Sequence, residues 1–186
     1  QAAAEVTIGH VKAQRHTCTL TVLALDTISR TATKLWQQHR LPHDCLRLLS
    51  LPKSPLFRHG HVMVVSMNAL LIASPDQVIG SATNGFAAVT VSSHVKMQIW
   101  PFDTGLELDG SHWLEAAPHE LVGTLKDGRR LLVHLTGALD NLTSLDFLRF
   151  GFGFLPSGAQ CTCCCANEAG NLWFFGSAQD QGALLE

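Results

Sequence analysis

His119 to Leu135, HELVGTLKDGRRLLVHL, decides the fold class, because two apolar-rich runs flank Lys126-Asp127-Gly128-Arg129. An Asp-Gly pair between alternating hydrophobic residues is a strong hairpin signal, and it predicts a two-residue type I′ loop with positive φ at both central positions. Side chains alternate across a strand, so Leu131, Val133 and Leu135 share one face, and Leu132 and His134 the other. The reading expected here is a β-hairpin with one buried face.

Outward from this stretch the same pattern recurs. Thr17 to Leu25 alternates Cys18, Leu20, Val22 and Ala24 with threonines, as a half-buried strand does. Val6 to Lys12 reads as a strand before it, with Ala13 to His16 as the connection. A turn at Asp26 to Arg30 leads into Thr31 to Trp36, and Leu41-Pro42-His43-Asp44 punctuates the chain before Cys45 to Leu51. His61 to Met67 is nearly all apolar, the pattern of a strand covered on both faces, and Asn68-Ala69 reads as the turn into Leu70 to Ala73. Pro75 to Gly85 reads as a loop, Phe86 to Val91 as a strand, and Ser92 to Thr104 gives no clear pattern. Leu106 and Leu108 alternate with Glu107 and Asp109, and His112 to Ala117 is a short strand. Beyond Leu135 come a loop over Thr136 to Asn141 and strands at Leu142 to Phe150, Cys161 to Cys165 and Leu172 to Phe175. Gly182 to Glu186 begins a further one. The best helical stretch, Leu35 to Leu41, is short and ends at Pro42.

The expected fold class is therefore all-β: a partial β-propeller of about four blades built from antiparallel hairpins, at ~40–45 residues per blade, with a β-sandwich as the alternative. The whole of residues 1–186 is read as one partial propeller domain. The chain lacks an initiator Met and ends inside an apolar strand, so it is expected to be a piece of a longer, multi-propeller protein.

Composition narrows the function classes. Of 186 residues, 46% are hydrophobic and 15% charged, with a formal net charge of -2, which suits a folded domain and supplies no overall basic field for phosphate binding. No run reaches the ~18 apolar residues that a spanning helix needs, so no membrane role is expected. Four of the six cysteines crowd into Cys161-Thr162-Cys163-Cys164-Cys165, where neighbouring strand residues face opposite ways and pair poorly. Reduced thiols are the expectation. Asn141-Leu142-Thr143 is a glycosylation triplet that would matter only in a secreted chain.

No catalytic, cofactor-binding or metal-ligating residue is assigned from this sequence, and no cofactor is expected. His59 and His61 share a strand face without a nearby acidic or cysteine partner. His112, His119 and His134 fall in or beside strands, where a cross-strand neighbour accounts for each. The cysteine run lacks the second pair that zinc sites use, and cysteine is also a small buried hydrophobe. Gly80 to Gly85 fails the spacing of a nucleophile elbow. Glu107 and Asp109 read as the outward face of a strand, Arg129-Arg130 as a solvated rim, and Gly151-Phe152-Gly153-Phe154 as a bulged connection. Two rival readings are a propeller hydrolase or lyase with His112, His119, Asp103 and Glu107 in one cleft, and a metal or redox module built on Cys161 to Cys165.

In order along the chain, Thr17-Cys18-Thr19-Leu20, Leu35-Trp36, Leu41-Pro42-His43-Asp44-Cys45, Leu51-Pro52-Lys53, Val62 to Leu71, Glu107-Leu108-Asp109, Lys126 to Leu135 and Leu172 to Ser177 resemble the first propeller region of the largest subunit of the cleavage and polyadenylation specificity factor. Departures are Ser177 to Gly182, the reduction of the glycines expected before Val62 to Gly60-His61, and the complete lack of Tyr. The superfamily also holds a ubiquitin-ligase adaptor and a splicing factor 3b subunit. The resemblance implies a non-catalytic nuclear scaffold of mRNA 3′-end processing. Its implied partners are a WD-repeat subunit, a zinc-finger subunit and an endonuclease module, with RNA touched only indirectly or weakly.

Overall fold

The computed structural model describes residues 5–8, 11–14, 18–51, 53–54, 56–58, 60–102, 104–139, 141–150, 161–167, 172–177 and 183–185. The described strands are β1 (Glu5–Ile8), β2 (Val11–Gln14), β3 (Cys18–Asp26), β4 (Thr31–Leu41), β5 (Cys45–Leu51), β6 (His61–Ser66), β7 (Ala69–Ala73), β8 (Val78–Ala82), β9 (Lys96–Gln98), β10 (His112–Ala117), β11 (Glu120–Thr124), β12 (Arg130–Ala138), β13 (Asn141–Phe150), β14 (Cys161–Ala166), β15 (Trp173–Ser177) and β16 (Ala183–Leu185). A single helical turn, α1 (Ala87–Thr90), interrupts them. The protein is all-β, and its sheets are sequential antiparallel meanders: β5-β6-β7-β8, β10-β11-β12-β13 and β14-β15-β16, with β3-β4 and β1-β2 as hairpins. Among the described strands only β9 breaks the rule, adding to β8 in parallel.

The sheets stack. Met63, Val65, Leu70, Ile72 and Ile79 from one face of the β5–β9 sheet share a core with Leu121, Leu131, Val133, Leu135 and Phe147 of the β10–β13 sheet. Val64, Leu71, Ala73 and Val78, on the other face, pack with Leu20 and Leu41 of β3–β4. The middle sheet is thus apolar on both sides because both sides are covered, which explains the unbroken hydrophobic runs of β6 and β7. Arg130 carries the stack onward, its guanidinium 4.6 Å from the ring centroid of Phe175 on β15. The first strand of the β10–β13 meander lies beside the first strands of the meanders before and after it, β5 and β14. Open antiparallel sheets stacked in this way fit a partial propeller or a sandwich.

Several local expectations change. The hairpin at Asp127-Gly128 pairs as expected, Thr124 with Arg130 and Gly123 with Leu131, but its loop is not type I′. Gly128 has φ of 82° while Asp127 does not enter the left-handed region. Gly128 N donates to Leu125 O (3.0 Å) and Leu125 N to Arg129 O (2.8 Å), which is a three-residue loop closed by a glycine bulge. Val6 to Lys12 is not one strand but parts of two, β1 and β2, so Ala13 and Gln14 belong to a strand. The β6–β7 turn falls at Met67-Asn68, one residue early, since Val65 pairs with Leu70.

Pro75 to Gly85 contains strand β8, with Val78 and Ile79 buried. Gly80 lies opposite Leu71, where a Cβ would collide with the Leu71 side chain and stand 2.7 Å from Leu70 O. A glycine that read as loop punctuation is there for close packing. Phe86 to Val91 is the helical turn rather than a strand, and Leu35 to Leu41 is the end of β4. Thr136 to Asn141 is mostly strand, as β12 runs to Ala138 and β13 starts at Asn141.

Candidate functional site

The histidines singled out from the sequence go to separate places. His59 lies outside the described residues. His61 opens β6 at 2% exposure, its ring centroid 4.4 Å from that of Phe57, so it is a core residue. His119 has φ of 69°, is hydrogen-bonded through Nε2 to Ser54 Oγ at 2.9 Å, and meets the Phe57 ring edge-on at 5.5 Å. His134 faces its cross-strand partner Glu120, Nδ1 to Oε1 3.5 Å, the ordinary neighbour that its position implies.

His112 begins β10 and accepts a hydrogen bond at Nδ1 from Arg47 Nη1 of β5 (3.3 Å), bridging the first strands of two meanders. Burial first, and then the Arg47 charge, push its pKa below the usual imidazole value. On the same strand, burial raises the Glu115 carboxyl, and the His119 backbone N–H partly offsets this.

Glu107 and Asp109 are exposed while Leu106 and Leu108 are buried, so the outward-face reading holds, on an irregular segment rather than a strand. With Lys126, Asp127 and Arg129 they line a shallow cleft of about 530 Å³. Neither His112 nor His119 lines it, and Asp103 lies outside the described residues. The described members of the hydrolase constellation therefore do not converge. In the cleft wall, Arg129 Nε donates to Asp127 Oδ2 at 2.6 Å, as a rim pair does. Arg130 corrects the rim reading: it is 4% exposed and stacked on Phe175.

Cys163 and Cys165 are exposed and Cys164 is half-buried on β14. Among the described residues no group of three His, Cys, Asp or Glu is arranged to hold a metal ion. Gly151 to Phe154 lies outside the described residues. A second, apolar groove of about 280 Å³ runs between Cys18, Leu20, Leu41, Cys45 and Leu48. There the Cys45 thiol donates to Pro42 O at 3.0 Å, and burial, with Cys18 and Asp44 nearby, pushes its pKa up to about 12. That thiol stays protonated and is a poor nucleophile at neutral pH.

What the geometry offers is surface: the exposed residues of β5 and β14, two open grooves, and the β3–β4 hairpin. Sequence reading missed the split in charge that underlies it. The first 61 residues hold eight Lys and Arg against three Asp and Glu, whereas the rest of the chain holds five against twelve. The overall charge of -2 conceals this, and a segment-by-segment count exposes it.

Comparison with known proteins yields one informative match. The chain is similar to cleavage and polyadenylation specificity factor subunit 1 of Arabidopsis thaliana. Identity is 28% over 178 residues, covering 96% of this chain and 11% of that protein. The chain thus spans about a tenth of the length of the relative it matches. No family model matches it. The similarity to subunit 1 runs through every described sheet, so the stacked meanders and the match concern the same residues.

Proposed function

We infer that the chain is part of a non-catalytic β-propeller scaffold in the nuclear machinery that cleaves and polyadenylates mRNA, and that it forms part of a longer, multi-propeller protein. The observation that carries this reading is the match to a cleavage and polyadenylation specificity factor subunit along 96% of the chain. It is supported by stacked meanders in which several ionisable groups are paired or packed: His134 with Glu120, Arg130 on Phe175, Arg129 with Asp127. The partners are the other 3′-processing subunits, a WD-repeat protein and a zinc-finger protein among them, together with the endonuclease module. RNA is reached through them rather than held by this chain. Affinity purification of the tagged full-length protein from nuclear extract tests the reading. Recovery of the WD-repeat and zinc-finger subunits in stoichiometric amount is expected, and a preparation free of both would overturn it.

A further inference from the structure

The β3–β4 hairpin differs from the rest of the molecule. Its base packs into the core through Leu20 and Leu41, with Val22 and Trp36 half-buried, but every residue from Leu23 to Leu35 is exposed. It is an arm standing off the body. Cross-strand partners share a face, and Leu23 pairs with Lys34, Leu25 with Ala32 and Thr21 with Gln37. Val22 and Trp36, paired with each other, face the body, so the Leu23, Leu25, Ala32 and Lys34 set faces away from it. The skipped register at Val22/Leu23 leaves Leu35 as an additional outward residue. Leu23, Leu25, Leu35 and the turn residue Ile28 are 49%, 73%, 60% and 95% exposed. A two-stranded ribbon has little stability to spare, and clustered apolar exposure of this kind marks a contact surface.

Charge specifies what contacts it. Between Cys18 and Leu41 the basic residues are Arg30, Lys34 and Arg40, and the sole acid is Asp26. Asp26 is engaged within the turn, accepting from Ile28 N (2.9 Å), Ser29 N (3.2 Å) and Ser29 Oγ (2.7 Å). Lys34 donates to the neutral Gln37 Oε1 (3.3 Å), so no carboxylate on the arm offsets its charge. Single-stranded nucleic acid is held by aromatic side chains that stack on bases, and the outward face has none. Its apolar groups are leucines, an isoleucine and an alanine, shapes that fit aliphatic side chains.

We propose that the outer face of the β3–β4 arm docks a protein segment that combines acidic with large aliphatic side chains. The segment lays its aliphatic groups on Leu23, Leu25 and Leu35, and its carboxylates pair with Lys34 and Arg30. This rests on the scaffold reading and names the partner chemistry of one of its surfaces.

The test uses the full-length protein and fluorescence anisotropy with three probes: a labelled peptide alternating Glu and Leu, its Lys–Leu counterpart, and a poly(U) oligonucleotide. The Glu–Leu peptide is expected to bind at least about tenfold more tightly than the other two. R30E/K34E should reverse the preference between the peptides, and L23S/L25S should weaken the Glu–Leu peptide by about tenfold. All four sites are exposed, so circular dichroism should show both variants folded. Equal binding by wild type and variants overturns the proposal. So does tighter binding of poly(U) that R30E/K34E abolishes, which would mark a nucleic-acid surface. A Cys introduced at Leu25 that resists maleimide in the native protein also overturns it, because the arm would then be covered by its own chain. Loss of subunit co-purification with peptide binding intact defeats the scaffold reading alone, and the converse result defeats the arm alone.

Discussion

At Gly123 one missing methyl group sets how Trp113 packs. The two residues are cross-strand partners on β10 and β11, and a Cβ at position 123 would lie 2.5 Å from Trp113 Cη2 and 2.6 Å from Cζ3. The indole lies flat over the glycine, and its Nε1 donates to Ser111 Oγ at 2.9 Å, so it is held at both ends and cannot swing away. Gly123→Ala should therefore destabilise the protein by about 1–3 kcal/mol, the usual range for overpacking. Urea unfolding followed by Trp fluorescence measures this, and an unchanged midpoint would show that the ring is free to move. His112 makes a pH prediction on the same strand. Its pKa is lowered in the folded state by burial and by Arg47, so the unfolded chain binds the proton more readily. The stability tied to a neutral His112 is present above the usual imidazole range and is lost as pH falls through it. His112→Gln should flatten the pH dependence of the unfolding midpoint between roughly pH 7 and 5.5. An identical slope in the variant would assign that dependence elsewhere.

Among the elements, strands are held in register by polar side chains at their ends as much as by ladders. Asp44, just before β5, accepts from Ser66 Oγ (2.8 Å) and from Asn68 Nδ2 (2.9 Å) at the β6–β7 turn. Asn68 Oδ1 in turn accepts from Asn84, whose amide also reaches Leu106 O at 2.8 Å, so one carboxylate anchors three connections. Ser66 and Asn68 are buried, and removal of their acceptor leaves donors without water or partner. Asp44→Ala should cost about 2–4 kcal/mol, more than Ser66→Ala, because hydrogen bonds to a charged acceptor are the stronger ones. Thermal melts of the two variants check the order, and a neutral Asp44→Ala would dissolve the network. How much of this the sequence discloses depends on the range of the interaction. Alternation of Leu131, Val133 and Leu135 was readable because strand period is local, and all three are buried. The Asp127-Gly128 turn was readable in place but not in type, since the pairing of Leu125 with Arg129 that lengthens the loop is a backbone event without a residue signature. Strand β8 was missed because Gly80 and Ser81 have low strand propensity, and the tertiary contact with Leu71 overrides it. Arg130 reads as surface in the sequence because its partner, Phe175, lies far along the chain. The candidate surface followed the same rule: the absence of a nucleophile elbow was visible, whereas the outward face of the arm required the β3–β4 register.

On the scale of the whole molecule, the sheets resemble repeat units in that each packs on its neighbours in sequence, so stability should distribute as unit terms plus interface terms. The decisive quantity is how strongly adjacent sheets are coupled. The β5–β9 and β10–β13 sheets share one apolar core, and polar ties from β9 and from the turn before β8 reach β13: Leu145 N donates to Gln98 Oε1 (2.9 Å) and Gln77 Nε2 to Leu142 O (3.3 Å). Such a shared core couples the two sheets, so one is not expected to unfold and leave the other intact. Leu121→Ala on β11 and Met63→Ala on β6 remove fully buried side chains from opposite sides of it, and each should cost about 2–5 kcal/mol. Coupled sheets unfold together, so either substitution should shift one urea transition, coincident by far-ultraviolet circular dichroism and by the fluorescence of Trp113 on the second sheet, read in a background with Trp36, Trp100 and Trp173 replaced by Phe. If Met63→Ala lowered the circular-dichroism midpoint while the Trp113 signal held its wild-type midpoint, the blades would be independent units. The interface would then be a contact and not a shared core.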